Sequence, residues 1–365
     1  MSYIAVLPGD GIGPEVVEEA LKIIKSIESI SGNKYDIKMG EVGGGAYDKY
    51  GDPLPDNTID LIENCNSVLF GAVGGPKWDD LDSAFRPEMG ILKIRKKLDL
   101  YANLRPVKIF ESLKDSSPVK SEILSDVDIL IIRELTGGLY FGEPKKIMNE
   151  APNRSAVDTM FYDESEIHRI VELAFKIAES KNVNLTSVDK SNVLETSKLW
   201  RKIVDEISVG YESVKFNHML VDNAAMQLIL NPSQFNIIVS ENTFGDILTD
   251  EASVLSSSLG MLPSASLSFI PGEFNKDKKS LYEPIHGSAP DIAGKGIANP
   301  IGMILSTAMM FEYSFNEKEI SELISNSVEK IINDGLRTKD ISGSEKFCST
   351  SEMGDAISEE ILSRG

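Results

Sequence analysis

The chain has 365 residues and carries 57 acidic against 37 basic residues, a formal net charge of −20 at pH 7. This balance argues against nucleic-acid binding and against docking on anionic membranes, since both need clustered Lys and Arg. With no apolar stretch near the roughly 20 residues of a membrane span and no basic signal-peptide segment, we expect a cytoplasmic protein whose two cysteines, Cys65 and Cys348, stay reduced.

Short apolar runs alternate with amphipathic helical patterns along the chain. Residues 3–7 predict a strand, and Pro14 then opens a helix whose apolar residues recur at helical spacing up to Ile27. Further strands are predicted at 34–39, 68–73, 128–132, 183–188 and 237–239. Helices are predicted at 164–180, 195–207 and 246–259. This alternation is typical of an α/β protein with buried strands, and the length allows two domains.

A glycine-rich turn, 9–13, joins the first strand to the first helix. A dinucleotide-binding loop has the same place in the chain, but its third glycine comes three residues after its second, whereas Gly13 comes two after Gly11. No clear acidic strand end follows at the usual distance. We therefore expect a tight turn that lines another cleft, rather than a standard Rossmann site.

Three arginines are candidates for binding an anion. Arg95 lies on a predicted helix, Arg105 on the strand after it, and Arg133 at the end of the run 128–132. An arginine at the end of a buried strand is costly without an anion, and its forked donors match a carboxylate. Each of the three, taken alone, would also fit a structural salt bridge.

Four further side chains suggest a cation site and a base. Asp246 and Asp250 are four residues apart and would share one helix face, where a divalent ion such as Mg²⁺ or Mn²⁺ would relieve their repulsion. Helix capping by Asp246 is the alternative, and it applies to Asp222 as well. Lys190 follows an apolar strand, where a lysine can enter a cleft, although a lone lysine there is more often a surface residue.

The segment 283–300 is the most specific run of the chain. Its many small residues would let a ligand approach the backbone closely. His286, Asp291 and Asn299 occur together in it, which a plain turn would not require. Asp291 could accept hydrogen bonds from ribose hydroxyls and would repel a 2′-phosphate, which favours NAD over NADP.

Runs along almost the whole chain resemble the β-decarboxylating dehydrogenase family, which includes isocitrate and isopropylmalate dehydrogenases. These runs are 7–15, 71–78, 99–106, 133–142, 188–195, 242–253 and 283–300. The resemblance implies two open α/β domains around a central cleft, unlike a standard Rossmann fold. It implies that 1–100 plus 257–365 form a cofactor-binding domain. It also implies that 101–256 form a dimerisation and metal/substrate domain, with an arm around 137–163.

The resemblance further implies a role for each candidate. The substrate carboxylates would be held by Arg95, Arg105 and Arg133. Lys190 would act as the general base, and Tyr140 would help to protonate the enol carbon after CO₂ leaves.

The metal and cofactor ligands are implied in the same way. The divalent ion, Mg²⁺ or Mn²⁺, would be bound by Asp222, Asp246 and Asp250, with Asp222 also at the substrate. The NAD-binding residues would be Glu283, His286, Gly287, Ser288, Ala289, Asp291, Ile292, Asn299 and Asn192. Lys190 and Asp222 would enter the site from the second subunit of a homodimer, so that the active sites would be shared.

Choice among small 2-hydroxy acids should depend on the group at C3. Ile91, Leu92 and Val193 would form an apolar pocket, and Glu88 would repel a third carboxylate. This favours 3-isopropylmalate, which NAD-dependent oxidative decarboxylation converts to 4-methyl-2-oxopentanoate and CO₂ in leucine biosynthesis. Ile91 and Leu92 could instead be core residues of an amphipathic helix. D-malate, tartrate and homoisocitrate are the alternative substrates, and a catalytically silent binding protein is the alternative of another class.

Overall fold

The computed structural model describes residues 2–148, 153–344 and 346–364. The chain divides into two compact units. Unit 1 comprises Met1–Leu100, Ile109–Ser121 and Ser253–Gly365, and unit 2 comprises Tyr101–Lys108 and Glu122–Ala252. Residues 109–121 and 253–256, which lie within the predicted 101–256, belong to unit 1. Hydrogen bonds tie them there, from Ser117 Oγ to Val254 O (3.1 Å) and from Ser257 Oγ to Leu113 O (3.0 Å).

The secondary structure follows the predicted alternation. The strands of the described residues are β1 (Ser2–Gly9), β2 (Tyr35–Met39), β3 (Ser67–Ala72), β4 (Ala102–Lys108), β5 (Asp128–Glu134), β6 (Lys146–Met148), β7 (Ser155–Val157), β8 (Leu185–Asp189), β9 (Phe216–Leu220), β10 (Ile237–Ser240), β11 (Pro263–Leu267) and β12 (Ser280–Pro284). The α-helices are α1 (Gly13–Ser31), α2 (Gly44–Tyr50), α3 (Asp56–Glu63), α4 (Pro87–Lys97), α5 (Glu164–Lys181), α6 (Glu195–Ser208), α7 (Val221–Leu230), α8 (Asn242–Ser253), α9 (Ile301–Tyr313), α10 (Lys318–Asn333) and α11 (Thr350–Arg364). The predicted α/β class is confirmed.

In unit 1 the strand order is β2-β1-β3-β12-β11, parallel except for the antiparallel pair of β11 and β12. Fully buried aliphatic side chains such as Ala5, Leu7 and Val68 fill its core. The loops after β1 and β3 meet because parallel strands end at one sheet edge. There the buried Asp10 carboxylate accepts hydrogen bonds from the N–H groups of Gly44 (2.7 Å) and Gly74 (2.9 Å).

In unit 2 the strand order is β4-β5-β10-β8-β9, parallel except for the antiparallel pair of β4 and β5. The register pairs Ser240 of β10 with Arg133 of β5 and with Val188 of β8. The carboxyl ends of these three strands therefore bring the segments that begin at Arg133, Glu241 and Asp189 to the same edge of the sheet.

Helix α8 begins four residues earlier than predicted and ends at Ser253 rather than at 259. The Glu241 carboxylate accepts hydrogen bonds from the N–H groups of Thr243 (3.1 Å) and Phe244 (2.7 Å), which fixes the first turn. Ser257 has φ +74°, a left-handed conformation that a helix does not continue through. Apolar periodicity alone could not locate either end.

The predicted arm, 137–163, contains an antiparallel hairpin of β6 and β7. Residues 149–152 of the arm lie outside the described residues. Across the part of the chain that the structure describes, none of the helices has both the length and the apolar character needed to span a bilayer.

Candidate active site

Arg133, at the carboxyl end of β5, is held firmly against the start of α8. It is only 3% exposed. Its Nε and Nη2 donate to Asn242 Oδ1 at 3.0 and 2.8 Å, and its Nη1 forms an ion pair with Asp246. The helix can approach this closely because residue 245 is glycine, since a Cβ there would lie 2.8 Å from Arg133 Cγ. The guanidinium is therefore buried with an acidic partner and fixed in orientation.

Tyr140 meets the same carboxylate. Its hydroxyl donates to Asp246 Oδ2 at 2.9 Å, and its ring centroid lies 5.8 Å from Arg133 Cζ. Burial and the neighbouring Asp246 raise the pKa of the Tyr140 hydroxyl above its ordinary value. The phenol therefore keeps its proton at neutral pH, which is the form that a proton donor needs.

Arg105 and Asp250 form the second part of this cluster. The nearly buried guanidinium of Arg105 donates to Asn103 Oδ1 at 2.7 Å and to Thr249 Oγ1 at 2.8 Å. Its Nη1 lies 3.9 Å from Asp250 Oδ1, and the Asp250 side chain is 72% exposed. Since α8 begins at Asn242, Asp246 lies beyond the first turn and does not cap the helix. The capping alternative for Asp246 is therefore wrong.

Lys190 lies directly after β8 and pairs with Asp222 near the start of α7. Its Nζ donates to Asp222 Oδ1 at 2.8 Å, and this ammonium group holds the pKa of Asp222 below its usual range. The turn is tied down by a hydrogen bond from Lys190 N to Ser197 Oγ (3.1 Å). Asn192 is exposed on the same turn. A basic side chain is thus presented beside an exposed carboxylate.

The three predicted metal carboxylates do not meet within one chain. Among residues 2–148, 153–344 and 346–364, no three acidic, His or Cys side chains are grouped around a common point. Asp246 and Asp250 share α8, while Asp222 pairs with Lys190. Their carboxylate oxygens suit a hard divalent cation. The resemblance assigns Asp222 to the site of the other subunit. Each metal site would then take Asp246 and Asp250 from one chain and Asp222 from its partner.

In unit 1, Arg95 of α4 pairs with Glu283 of β12. The Arg95 Nη2 donates to Glu283 Oε1 at 2.9 Å, and both side chains are largely buried. The Nε of Arg95 is buried without a partner among the described atoms. One residue predicted for the substrate thus holds one predicted for the cofactor, and the guanidinium keeps a donor for a ligand.

The residues of the predicted alkyl pocket have different environments. Ile91 is 8% exposed and packs in the hydrophobic core with Val68 and Phe70, as the alternative interpretation expected. Leu92 is half-buried, and Val193 of unit 2 is 64% exposed. The accessible apolar groups of the set are therefore Leu92 and Val193.

The segment after β12 contains two polar side chains with contrasting partners. The Nδ1 atom of His286 lies 2.9 Å from Gly287 O, while its Nε2 is buried without a partner within the described part of the chain. Burial lowers the pKa of His286, so the imidazole is neutral at pH 7. Asn299 instead donates to Asp340 Oδ2 (3.0 Å) and accepts from Ile301 N (3.0 Å) at the start of α9. Asn299 thus supports the loop, whereas His286 offers a nitrogen to a ligand.

The glycine-rich turn 9–13 packs against the predicted cofactor loop. Ile12 N donates to Ser288 O at 2.8 Å. Gly11 has φ +61°, and a Cβ there would lie 2.0 Å from the same carbonyl oxygen. Glu88 lies near the same loop. A Cβ on Gly74 would be 2.8 Å from Glu88 Oε1 and 3.9 Å from Ser288 Oγ. The turn therefore shapes the loop 286–292, within which Ala289 O accepts from Ile292 N (3.1 Å). Asp291 is exposed on it.

We expect Gly11→Ala to be more damaging than Gly32→Ala. Both glycines have positive φ, but nothing lies within 4 Å of a Cβ on Gly32. Gly32→Ala should lower the free energy of unfolding by about 1–2 kcal/mol through backbone strain. Gly11→Ala should lower it by roughly 1–3 kcal/mol more, through the clash with Ser288, and should raise KM for NAD. Denaturant unfolding and initial rates measure both, and equal effects of the two variants would contradict this packing.

A buried cluster next to Arg133 was not predicted from the sequence. Glu134 and Glu241 are almost fully buried, and both carboxylates lie within 3.3 Å of the Tyr162 hydroxyl. Burial raises the pKa of both acids. The signal that could have found them is the one that identified Arg133, a charged residue directly after a buried strand.

The sequence of this chain is similar to those of known proteins along almost its whole length. The model of the isocitrate/isopropylmalate dehydrogenase family matches residues 3–357. The chain is 51% identical over 361 residues to 3-isopropylmalate dehydrogenase of Bacillus subtilis (strain 168), covering 99% of this chain and 97% of that protein. It is 52% identical over 360 residues to the enzyme of the same name from Aquifex aeolicus (strain VF5), covering 98% and 96%.

Solved structures agree. Isocitrate dehydrogenase from Methylococcus capsulatus superposes with a TM-score of 0.87 at 33% identity, covering 99% of this chain and 100% of that chain. A β-decarboxylating dehydrogenase from Thermococcus kodakarensis gives a TM-score of 0.79 at 35% identity, covering 99% and 96%. The family match covers almost the whole chain, and the relatives are about half identical to it over nearly their full length. The chain belongs to the isocitrate/isopropylmalate dehydrogenase family.

Proposed function

We propose that the chain catalyses the NAD-dependent oxidative decarboxylation of 3-isopropylmalate to 4-methyl-2-oxopentanoate and CO₂, a step of leucine biosynthesis. Relatives about half identical over nearly the full length are named 3-isopropylmalate dehydrogenase. The observation that supports the chemistry best is the contact of one carboxylate, Asp246, with both Arg133 and Tyr140. Formation of NADH from NAD on addition of 3-isopropylmalate and Mg²⁺ or Mn²⁺ tests the proposal.

The arginines of unit 2 bind and orient the substrate in this scheme. Arg105 and Arg133 present nearly buried guanidinium groups, whose forked donors suit carboxylates. Arg95 of unit 1, with its unpaired Nε, is proposed as a further donor to the substrate. These positive groups give an anionic substrate a local attraction within a protein whose net charge is −20.

Proton movement is assigned to Lys190 and Tyr140. Lys190 is assigned the removal of the C2 hydroxyl proton as the substrate is oxidised. Tyr140, whose raised pKa keeps the phenol protonated, delivers a proton to C3 after CO₂ has left. No covalent nucleophile is required by either step.

Asp222, Asp246 and Asp250 would hold the divalent metal ion. When bound, such an ion acts as a Lewis acid at the C2 oxygen and stabilises the negative charge that decarboxylation leaves. The exposed oxygens of Asp250 and the acid-rich face of α8 fit this requirement.

The loop after β12 would bind NAD, which takes up hydride when bound. His286, with its buried unpartnered nitrogen, and the loop 287–292 would contact the adenosine part, and Asn192 would lie near the nicotinamide. Glu283 and Asn299 act through their contacts with Arg95 and Asp340. The preference for NAD is assigned to the exposed carboxylate of Asp291.

We expect Asp291→Lys to shift cofactor preference toward NADP. The substitution removes an acceptor for ribose hydroxyls and replaces repulsion of a 2′-phosphate by attraction. The ratio of kcat/KM for NAD to that for NADP should fall at least roughly tenfold, since each 1.4 kcal/mol changes an equilibrium tenfold. Asp277→Lys makes the same charge change on another exposed loop of unit 1 and should leave the ratio as it is. An unchanged ratio in Asp291→Lys would refute the assignment.

The same proposal includes a homodimer with shared active sites. Helices α7 and α8 expose large apolar side chains, among them Met226, Leu230 and Ile247. Burying such groups against a second copy would be favourable. It would also explain why Lys190 and Asp222 pair with each other within one chain rather than with Asp246 and Asp250.

A further inference from the structure

The hydroxyl of Tyr162 joins two segments that carry proposed active-site residues. The ring is 6% exposed. The hydroxyl accepts a hydrogen bond from Asn242 N at 3.0 Å, at the first residue of α8. It lies 3.2 Å from Glu134 Oε2 and 3.3 Å from Glu241 Oε2, and it can donate to one of them at a time. A single oxygen thus touches the end of β5, the end of β10 and the start of α8.

The loop that carries Tyr140 is built on the same side chain. Glu134 Oε2 also accepts from Gly137 N at 2.8 Å, and Gly138 N donates to Phe161 O at 3.1 Å. Neither glycine could carry a side chain, because a Cβ would lie 2.7 Å from the Tyr162 ring at Gly137 and 2.5 Å from its hydroxyl at Gly138. The backbone of this loop is therefore seated directly on Tyr162.

A second link runs through Asn242. Its Nδ2 donates to Gly137 O at 3.0 Å, while its Oδ1 accepts from Arg133. Because Tyr162 holds the backbone of the same asparagine, it fixes the start of α8 relative to Arg133 and to the loop. Asp246 lies one helical turn further along α8, where its carboxylate forms an ion pair with Arg133 and accepts a hydrogen bond from the Tyr140 hydroxyl.

We propose that Tyr162 is a positioning residue that sets the alignment of Tyr140 and Asp246 by tying the loop 137–140 and the start of α8 to one hydroxyl. Its hydroxyl bonds to Glu134, Glu241 and Asn242, and it acts through them on the residues assigned to substrate and metal. The inference rests on the proposed function for its kinetic consequence. Its structural consequence is independent of any substrate.

The test compares Tyr162→Phe with Tyr35→Phe. Tyr35 is a matched control, because it is a buried residue of unit 1 whose hydroxyl also donates to a carboxylate, Glu317 Oε2, at 2.6 Å. The rates are measured with whichever 2-hydroxy acid the unmodified enzyme turns over fastest. Tyr162→Phe should lower kcat about tenfold or more, as a loss of alignment does, and should leave KM for NAD within about twofold.

Amide hydrogen exchange supplies the readout that needs no turnover. Tyr162→Phe should speed exchange in peptides that contain 137–142 and 242–247, while the rest of unit 2 keeps the rates of the unmodified protein. A protein that turned over none of the acids would refute the proposed function, and the exchange pattern would still decide the role of Tyr162.

Three results would overturn the inference: a kcat within twofold of the unmodified enzyme, an equal loss of kcat in Tyr35→Phe, or faster exchange spread evenly over unit 2. If Tyr162→Phe does not fold, Glu134→Gln takes its place under the same criteria. That change weakens the bond to Gly137 N and leaves Glu241 as a partner for Tyr162.

Discussion

Lys190→Ala will lower kcat by about 10²–10⁴-fold, the contribution typical of a general base. Lys190 is the basic side chain that unit 2 presents beside Asp222, and alanine can neither take the C2 hydroxyl proton nor hold that carboxylate. The fold should persist, because Asp222 is largely exposed and its loss of a partner leaves no buried charge. Stopped-flow or steady-state measurement of NADH formation gives the effect on kcat, and a thermal melting curve gives the effect on stability.

Lys198→Ala is the matched control. Lys198 lies on α6 and pairs with Glu195 in a similar exposed contact, but no catalytic role is assigned to it. Its kcat should stay within about twofold of the unmodified enzyme. A near-normal rate in Lys190→Ala, or an equal loss in both variants, would refute the assignment of the base.

Arg133→Lys is the second change with a large expected effect. Lysine keeps the positive charge but not the fork that places two donors on Asn242 Oδ1 and a third on Asp246. We expect kcat/KM for the substrate to fall by roughly 10²–10³-fold, about 3–4 kcal/mol, with most of the change in KM for the acid and little in KM for NAD. The free energy of unfolding should fall by about 1–3 kcal/mol, because a buried acceptor loses its donors.

The exposed pair of Arg364 with Glu360 supplies the control, since Arg364→Lys makes the same substitution on α11. Arg364→Lys should change neither kcat/KM for the substrate nor KM for the acid by more than about twofold. An Arg133→Lys enzyme with an unchanged KM for the acid would show that the guanidinium serves the fold alone.

The two impaired variants together test the shared site, when they are assayed at an acid concentration well below the raised KM of Arg133→Lys. If Lys190 serves the site of the partner subunit, a 1:1 mixture of Lys190→Ala and Arg133→Lys that exchanges subunits will contain mixed dimers with one intact site each. About a quarter of the normal activity should return, since about half of the dimers are mixed. No recovery after proven subunit exchange would contradict the proposed arrangement.

Local pattern was enough to predict the elements that carry the candidate residues. The positions of Arg105 on β4, Arg133 at the end of β5, and Lys190 after β8 follow from short apolar runs, because a buried strand reads as such in the sequence. The pairing of Asp246 and Asp250 on one helix follows from their spacing of four. The shared edge of the sheet could be expected in the same way once the strands were assigned.

Contacts between distant residues could not be predicted. The apolar spacing on α4 cannot tell a residue that faces a pocket from one that faces the core, and Ile91 packs in the core. Tyr162 meets acids that are 28 and 79 residues away in the chain, and the ends of α8 depend on Glu241 and Ser257. The partners of Asn299, Asp340 Oδ2 and Ile301 N, likewise could not be read from the sequence, and its proposed contact with the cofactor stays a prediction.

The proposed activity requires an enzyme that prefers a malate with a branched alkyl group at C3. Its most direct test is kcat/KM for 3-isopropylmalate, D-malate, tartrate and homoisocitrate, measured with NAD and Mg²⁺ or Mn²⁺. We expect 3-isopropylmalate to be the best substrate by at least roughly tenfold, because an apolar pocket would select it by contact with its alkyl group. An equal or higher kcat/KM for any of the other acids, or no NADH from all four, would contradict it.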